Sequence, residues 1–165
     1  MTRALIFFLM FTFSVPVQAE DLWRRDPTAF INYFAEASID GILTADISDL
    51  EKTRRFRALF KDGFDIPAIS RFILARNWRR AKESQRQEFI DLFEDVIVYT
   101  WSRRFSEYGG QTLEIRGTTP DGETGTIVDS DIVDAKGQTV TVQWRLRMRD
   151  EGLRIVDIVV EGVSM

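Results

Sequence analysis

The sequence predicts an α+β domain, with N-terminal helices packed on a C-terminal four-stranded antiparallel meander sheet. Three observations carry that prediction. Apolar residues recur at helical spacing from Pro27 to Tyr108. The period changes to two from Gln111 to Met165. The phenylalanines beyond residue 20, at positions 30, 34, 56, 60, 64, 72, 89, 93 and 105, all fall in the helical half. A ring-rich layer against a β-branched sheet reads in two ways. It is an ordinary core, or the layers close incompletely and leave an apolar pocket between them.

The chain has 165 residues, enough for one domain with a real core. Its start reads as a secretory signal over residues 1–19: Arg3, then an apolar run from Ala4 to Val15, then Val17-Gln18-Ala19 as a cleavage site. The run is too short for a membrane span, which takes about 20 apolar residues. Residues 20–165 then form a single domain. Without Arg3 it carries 21 basic and 26 acidic residues, a net charge of −5, which argues against nucleic acid as a partner. There is no histidine and no cysteine. That excludes disulfides, thiol catalysis, Cys/His zinc sites and His-based triads. A secreted domain without disulfides fits a bacterial periplasm.

The first helix starts at Asp26 as N-cap with Pro27 behind it, presents Phe30, Tyr33, Phe34 and Ala37, and ends near Gly41. The second opens on Ser48 and Glu51 at capping-box spacing, carries Phe56, Leu59 and Phe60, and closes at Gly63. Asp65-Ile66-Pro67 opens a short third helix with Ile69, Phe72, Ile73 and Leu74. A fourth is expected from Ser84, with Gln87 at capping-box spacing, to Tyr108 before Gly109-Gly110. Phe89, Phe93, Ile97, Trp101 and Phe105 form one ridge on it. Val96-Ile97-Val98-Tyr99 is apolar all round, which predicts cover on several sides.

Val140, Val142, Trp144, Leu146 and Met148 alternate with polar residues and give the clearest strand. Leu113 to Thr118 and Thr126 to Val133 are weaker strands, and Leu153 to Val163 is a last strand, apolar on both faces in IVDIVV. Asp121-Gly122, Ala135 to Gln138 and Asp150 to Gly152 are hairpin connections.

Chemistry is sparse. With no histidine, general acid–base work falls to carboxylates or tyrosine. Asp157 stands among apolar residues: facing a pocket it would serve as a base, and facing away it is structural. Asp129, Asp131 and Asp134 lack a calcium-loop pattern and read as solvated loop acids, so no metal site is expected. Residues 76–88 carry Arg76, Arg79, Arg80, Lys82 and Arg86 against Glu83 and Glu88. With Arg71, Arg103 and Arg104 they read as a surface for an anionic partner or as a solvated helix boundary.

The stretch RFILARNWRRAKESQRQEFIDLFEDVIVYTWSRRFSEYGGQTLEI resembles the MlaC, or toluene-tolerance, family of periplasmic phospholipid-binding proteins. The similarity runs through Leu74-Ala75-Arg76 and Trp78-Arg79, Gln85-Arg86, Phe89, Leu92-Phe93 and Ser106-Glu107-Tyr108. It continues in Trp144-Arg145-Leu146, Asp157 and Glu161-Gly162-Val163-Ser164. Two departures are Trp101, where the family commonly has tyrosine, and Ala75, where it commonly has glycine. The family usually continues past the EGVS strand with a helical segment that this sequence, ending at Met165, does not include.

The resemblance implies a lipid-binding domain without cofactor or metal. It implies a monomeric periplasmic carrier rather than an enzyme, which shuttles phospholipid between an outer-membrane lipoprotein complex and an inner-membrane ABC transporter complex. A relative in the same superfamily is associated with hopanoid lipids. A small carboxylate enzyme on a cone-shaped α+β fold and a pure interaction module are the alternatives. By facing, the expected lipid-binding residues are Phe72, Phe89, Phe93, Ile97 and Trp101 from the helices, and Trp144, Leu146 and Ile158 from the sheet. The expected partner-docking residues are Arg76, Arg79, Arg80 and Arg103.

Overall fold

The structure is a computed structural model and describes residues 19–164. The signal expected over residues 1–19 lies, apart from Ala19, outside the described residues. Helices α1 (Pro27–Ser38), α2 (Asp49–Gly63), α3 (Ile66–Leu74), α4 (Arg76–Arg80) and α5 (Glu83–Ser102) precede the strands. Strands β1 (Thr112–Pro120), β2 (Gly125–Val133), β3 (Thr139–Arg149), β4 (Gly152–Val160) and β5 (Val163–Ser164) form one antiparallel sheet in sequential order. The α+β architecture is as expected, with five strands rather than four. The difference lies in the expected last strand. It ends at Val160, because Glu161 (φ 50°) and Gly162 (φ 81°) turn the chain back so that Val163 pairs with Val160. Two consecutive positive-φ residues are what a tight two-residue hairpin requires.

Local chemistry explains the helix starts. The Asp26 carboxylate accepts from the Ala29 N–H at 2.7 Å, and Asp65 accepts from Ala68 at 3.0 Å. Ser48 accepts from the Glu51 N–H at 3.3 Å, but Glu51 does not return the bond to the cap. Its carboxylate takes Arg54 (2.8 Å) and Arg55 (2.9 Å) instead, and these arginines hold its pKa down at about 2. At α5 the expected cap is corrected. Lys82 is the N-cap and Gln85, not Gln87, accepts its N–H at 2.9 Å. The helix stops at Ser102 instead of Tyr108, and a 3-10 turn at Phe105–Glu107 follows.

The core lies between α1 and the sheet. Phe30 and Ile31 of α1 are buried against Val128, Leu146, Leu153 and Ile155. β4 carries a bulge. Arg145 pairs with Asp157 and Leu146 with Ile155, so Val156 is the extra residue. The bulge restores the facing that a strict period of two would break. Leu153 and Ile155 before it, and Ile158 after it, stand opposite Met148, Leu146 and Trp144 on the helix side. The opposite face of the sheet is polar. There Gln143 bonds Asp129 (2.7 Å), Arg116 pairs with Asp131, and Arg145 lies 3.7 Å from Asp157.

α5 rests on α2 and α3 rather than directly on the sheet. The clasp to α2 is ionic: Arg57 reaches Glu94 (2.7 Å) and Asp95 (2.8 Å), and Lys61 reaches Glu94 at 3.3 Å. Both carboxylates raise the pKa of Arg57. Val96 and Tyr99 stand 59% and 61% exposed, and Leu92 57%, so the expected cover around the middle of this helix is absent on one side.

One backbone position is strained. Ala75, between α3 and α4, sits at φ 47°, ψ −120°, a region that residues with a Cβ rarely occupy. It is held there because its N–H closes α3 on Arg71 and Phe72 while its carbonyl accepts from Trp78 to start α4. Replacing Ala75 with glycine removes strain of about 1–3 kcal/mol and adds about 0.4–1 kcal/mol of unfolded-chain freedom. Ala75→Gly is therefore expected to stabilise the fold by about 1 kcal/mol, seen as a higher urea midpoint at unchanged slope. A lower midpoint would contradict the strain.

Candidate functional site

Between the helical layer and the sheet lies an apolar cavity of about 290 Å³. Its floor comes from the sheet: Trp144 of β3 and Val156, Asp157 and Ile158 around the β4 bulge. α1 and α2 supply Phe34, Phe56 and Phe60, and Phe64 follows α2. α3 contributes Ile69 and Ile73, and α5 contributes Phe93, Ile97 and Trp101.

The rings that wall the space are in contact with one another. Trp144 meets Phe34 edge-on at 6.2 Å, and Phe34 meets Phe64 at 5.6 Å. Phe64 then contacts Phe60 at 4.5 Å, Phe60 stacks on Phe56 at 6.2 Å, and Phe56 meets Phe105 at 5.4 Å. Such pairs contribute about 0.5–1.5 kcal/mol each beyond area burial. The Trp144 indole is oriented by its N–H, which donates to the Ser130 hydroxyl at 2.9 Å. That hydroxyl donates in turn to the Val142 carbonyl at 3.0 Å.

Five of the eight residues expected from facing line this space: Phe93, Ile97, Trp101, Trp144 and Ile158. Three do not. Phe72 is 79% exposed, because on the short α3 the inward positions are Ile66, Ile69, Ser70 and Ile73, and Phe72 falls between them. Leu146 faces the helices but is sealed under Phe30 and Ile31, inside the core. Phe89 lies one turn outside the cavity, stacked on Phe93 at 6.3 Å. Sequence reasoning missed Phe34, Phe56, Phe60, Phe64, Ile69, Ile73 and Val156 as lining. The apolar faces of α1 and α2 were a usable signal for the first three, whereas Val156 depends on a bulge that no local pattern announces.

The expected docking arginines do not form one patch. Arg76, Arg79 and Arg80 sit exposed on α4, while Arg103 caps the far end of the 20-residue α5, roughly 30 Å along the helix. Trp78 is occupied, since Arg86 lies 5.3 Å from its ring and donates to its carbonyl at 2.9 Å.

The acids have structural partners. Both carboxylate oxygens of Asp157 accept from the Ser164 hydroxyl, at 2.8 and 2.9 Å, and Arg145 faces the same group. Asp134 accepts from Lys136 and Gln138 in a turn, at 2.8 Å each. Asp129 and Asp131 lie within β2, not in a loop, and Asp131 is buried. Among the described residues no cluster of three acids could hold a metal ion. A larger open groove, about 730 Å³, runs past Lys61, Asp65, Arg149 and Glu151. Four of its charged side chains are engaged with one another, Arg149 with Asp65 (2.8 Å) and Arg154 with Glu151 (3.0 Å). The apolar cavity is therefore the better candidate for a ligand.

A family model described as MlaC protein matches residues 41–165. No curated protein sequence matches the chain. Among solved structures, that of a phospholipid-binding protein from Ralstonia solanacearum in complex with a phospholipid superposes with a TM-score of 0.73. The identity is 16%, and the match covers 82% of this chain and 78% of that one. At that identity the likeness establishes a shared fold.

Filling the cavity tests whether it is the binding space. Ile97→Trp places a large ring into the void and is expected to keep the far-UV spectrum at a cost within about 1–3 kcal/mol. Binding of a fluorescent apolar probe should weaken about tenfold, which is 1.4 kcal/mol. Unchanged probe binding in the folded variant would place the binding space elsewhere.

Proposed function

The chain belongs to the MlaC protein family, and we propose that it is a periplasmic phospholipid carrier. The cavity carries this reading: a space walled by rings and aliphatic side chains, with Asp157 as the sole ionisable lining residue and that group held by Ser164. Such a space rewards hydrocarbon and offers no placed catalytic group. Each methylene withdrawn from water contributes about 0.8 kcal/mol, so ten give roughly 8 kcal/mol before association costs of about 4 kcal/mol or more. The structural neighbour from Ralstonia solanacearum, which shares the fold, is itself described as binding a phospholipid. That supports the same ligand class here.

The cavity of about 290 Å³ lies at the small end for ligand sites and is smaller than a two-chain lipid. In this reading the helical wall parts to admit the cargo and closes when the site empties. As in the family it resembles, the carrier would exchange lipid with an outer-membrane lipoprotein complex and an inner-membrane ABC transporter complex.

Native mass spectrometry of the protein purified from a Gram-negative periplasm is expected to show adducts of phospholipid mass. Consistently empty protein would sink the reading. A disulfide engineered between the C-terminal end of α3 and α5 is expected to block lipid exchange in the oxidised form and restore it on reduction. Equal exchange in both forms would show that the wall does not move.

A further inference from the structure

The wall of the cavity ends at Trp101, in the last turn of α5, where the ring is 38% exposed. Two arginines follow at once. The Arg104 guanidinium carbon lies 5.8 Å from the centroid of the Trp101 ring. Arg103 lies 5.5 Å from the Tyr99 ring and donates to its hydroxyl at 2.7 Å. Neither has a carboxylate within 4.0 Å among the described residues, whereas ten other arginines, from Arg24 to Arg154, do. Arg76, Arg79 and Arg80 also lack such a partner, but they sit on α4, and none of them lines or overlies the cavity wall. The C-terminal end of a helix favours positive charge, which accounts for a cation at this place. It does not account for a guanidinium laid over an aromatic ring where the cavity wall meets solvent.

We propose that Arg104 holds the phosphodiester of a phospholipid whose acyl chain lies in the cavity. The inference rests on the reading above that the cavity takes phospholipid. A guanidinium offers a planar fork of N–H groups that matches two phosphate oxygens, and stacking on an indole leaves the edges of that fork free. Arg103 is tied instead to the Tyr99 hydroxyl on the uncovered side of α5, about 200° of helix phase from Trp101, and serves as the control. The cavity thus selects for hydrocarbon and its mouth for an anionic phosphate. The ligand class is a phosphate-bearing lipid, in preference to a neutral lipid with the same chains.

The test compares phosphatidylglycerol with diacylglycerol of identical chains, each titrated against the mature protein, an Arg104→Gln variant and an Arg103→Gln control. Both residues are exposed, and a far-UV spectrum checks that each variant folds. The expected result is about tenfold weaker phosphatidylglycerol binding by Arg104→Gln, 1.4 kcal/mol, with diacylglycerol binding unchanged and Arg103→Gln like the wild type; an equal loss in Arg103→Gln would overturn the assignment. Arg104→Lys, which keeps charge but loses the fork, should recover part of the loss. If the wild type binds neither lipid, the lipid-carrier reading fails and the inference with it. If wild type and Arg104→Gln bind phosphatidylglycerol equally, the carrier reading stands and the arginine assignment is overturned. An equal loss for both lipids overturns it too, since the arginine would then act on the wall. Displacement of phosphatidylglycerol by inorganic phosphate at equal concentration also overturns it, because the acyl chain would then contribute nothing.

Discussion

The cavity depends on how α5 is attached. This helix is held to α2 through a buried carboxylate, Glu94, gripped by Arg57 and Lys61, and not through an interdigitated apolar seam across its whole length. Burying a charge costs several kcal/mol, and only close opposite charges with good hydrogen bonds offset it. The geometry is therefore sharply defined, unlike apolar contacts that tolerate sliding. Phe93 precedes Glu94 in sequence, and Ile97 and Trp101 follow one and two turns after Phe93. Fixing the carboxylate on the α2 side directs those three side chains at the sheet from a set height. Val98, buried beside the clasp, is the apolar part of the same attachment. Because α5 does not rest on the sheet itself, the space beneath it is spanned and not filled.

The sheet meets this arrangement with a bulge. Were Val156 paired in regular register instead of bulged, the run after Ile155 would present alternate residues in the wrong phase, and Asp157 would turn towards the helices. With it, Ile158 and Trp144 face the cavity together, and the Asp157 carboxylate goes to Arg145 and Ser164. One residue thus decides whether the site contains a buried acid suited to proton transfer or a floor suited to hydrocarbon. The two-residue β5 strand belongs to the same device, since Ser164, which returns beside Val159, is the group that engages Asp157.

Much of the scaffold was legible because its causes are local. Asp26, Ser48 and Asp65 cap helices through hydrogen bonds spanning three residues, and alternation in β3 follows from the pleat. The ridge through Phe93, Ile97 and Trp101 was legible for the same reason. What was not legible depends on partners distant in sequence. Leu146 and Trp144 share one strand face, and only the placement of α1 makes one of them core and the other cavity wall. Phe72 and Ile73 differ by about 100° of helix phase, and a nine-residue helix carries too few turns to settle which faces inward. The apolar surround of Val96 and Tyr99 suggested cover, yet α2 and α3 reach only one side of α5. The end of α5 at Ser102 followed no glycine or proline signal at that point.

The two ends of α3 are held with unequal strength, and in the carrier reading that decides where the cavity opens. The N-terminal end of α3 is pinned: the Asp65 N–H donates to the Ile155 carbonyl at 2.9 Å, and its carboxylate accepts from Arg149 at 2.8 Å. Ile66 is buried against that end. At the other end Phe72 is already 79% exposed, Ile73 is 49% exposed, and the chain then passes through the strained Ala75. Moving the pinned end would break a sheet-linked hydrogen bond and an ion pair and would expose buried aliphatic surface. Moving the free end exposes little that water does not already reach. The least costly opening therefore swings α3 about Asp65 and separates Ile73 from the α5 wall. It requires no change in the Glu94 clasp that holds that wall in place.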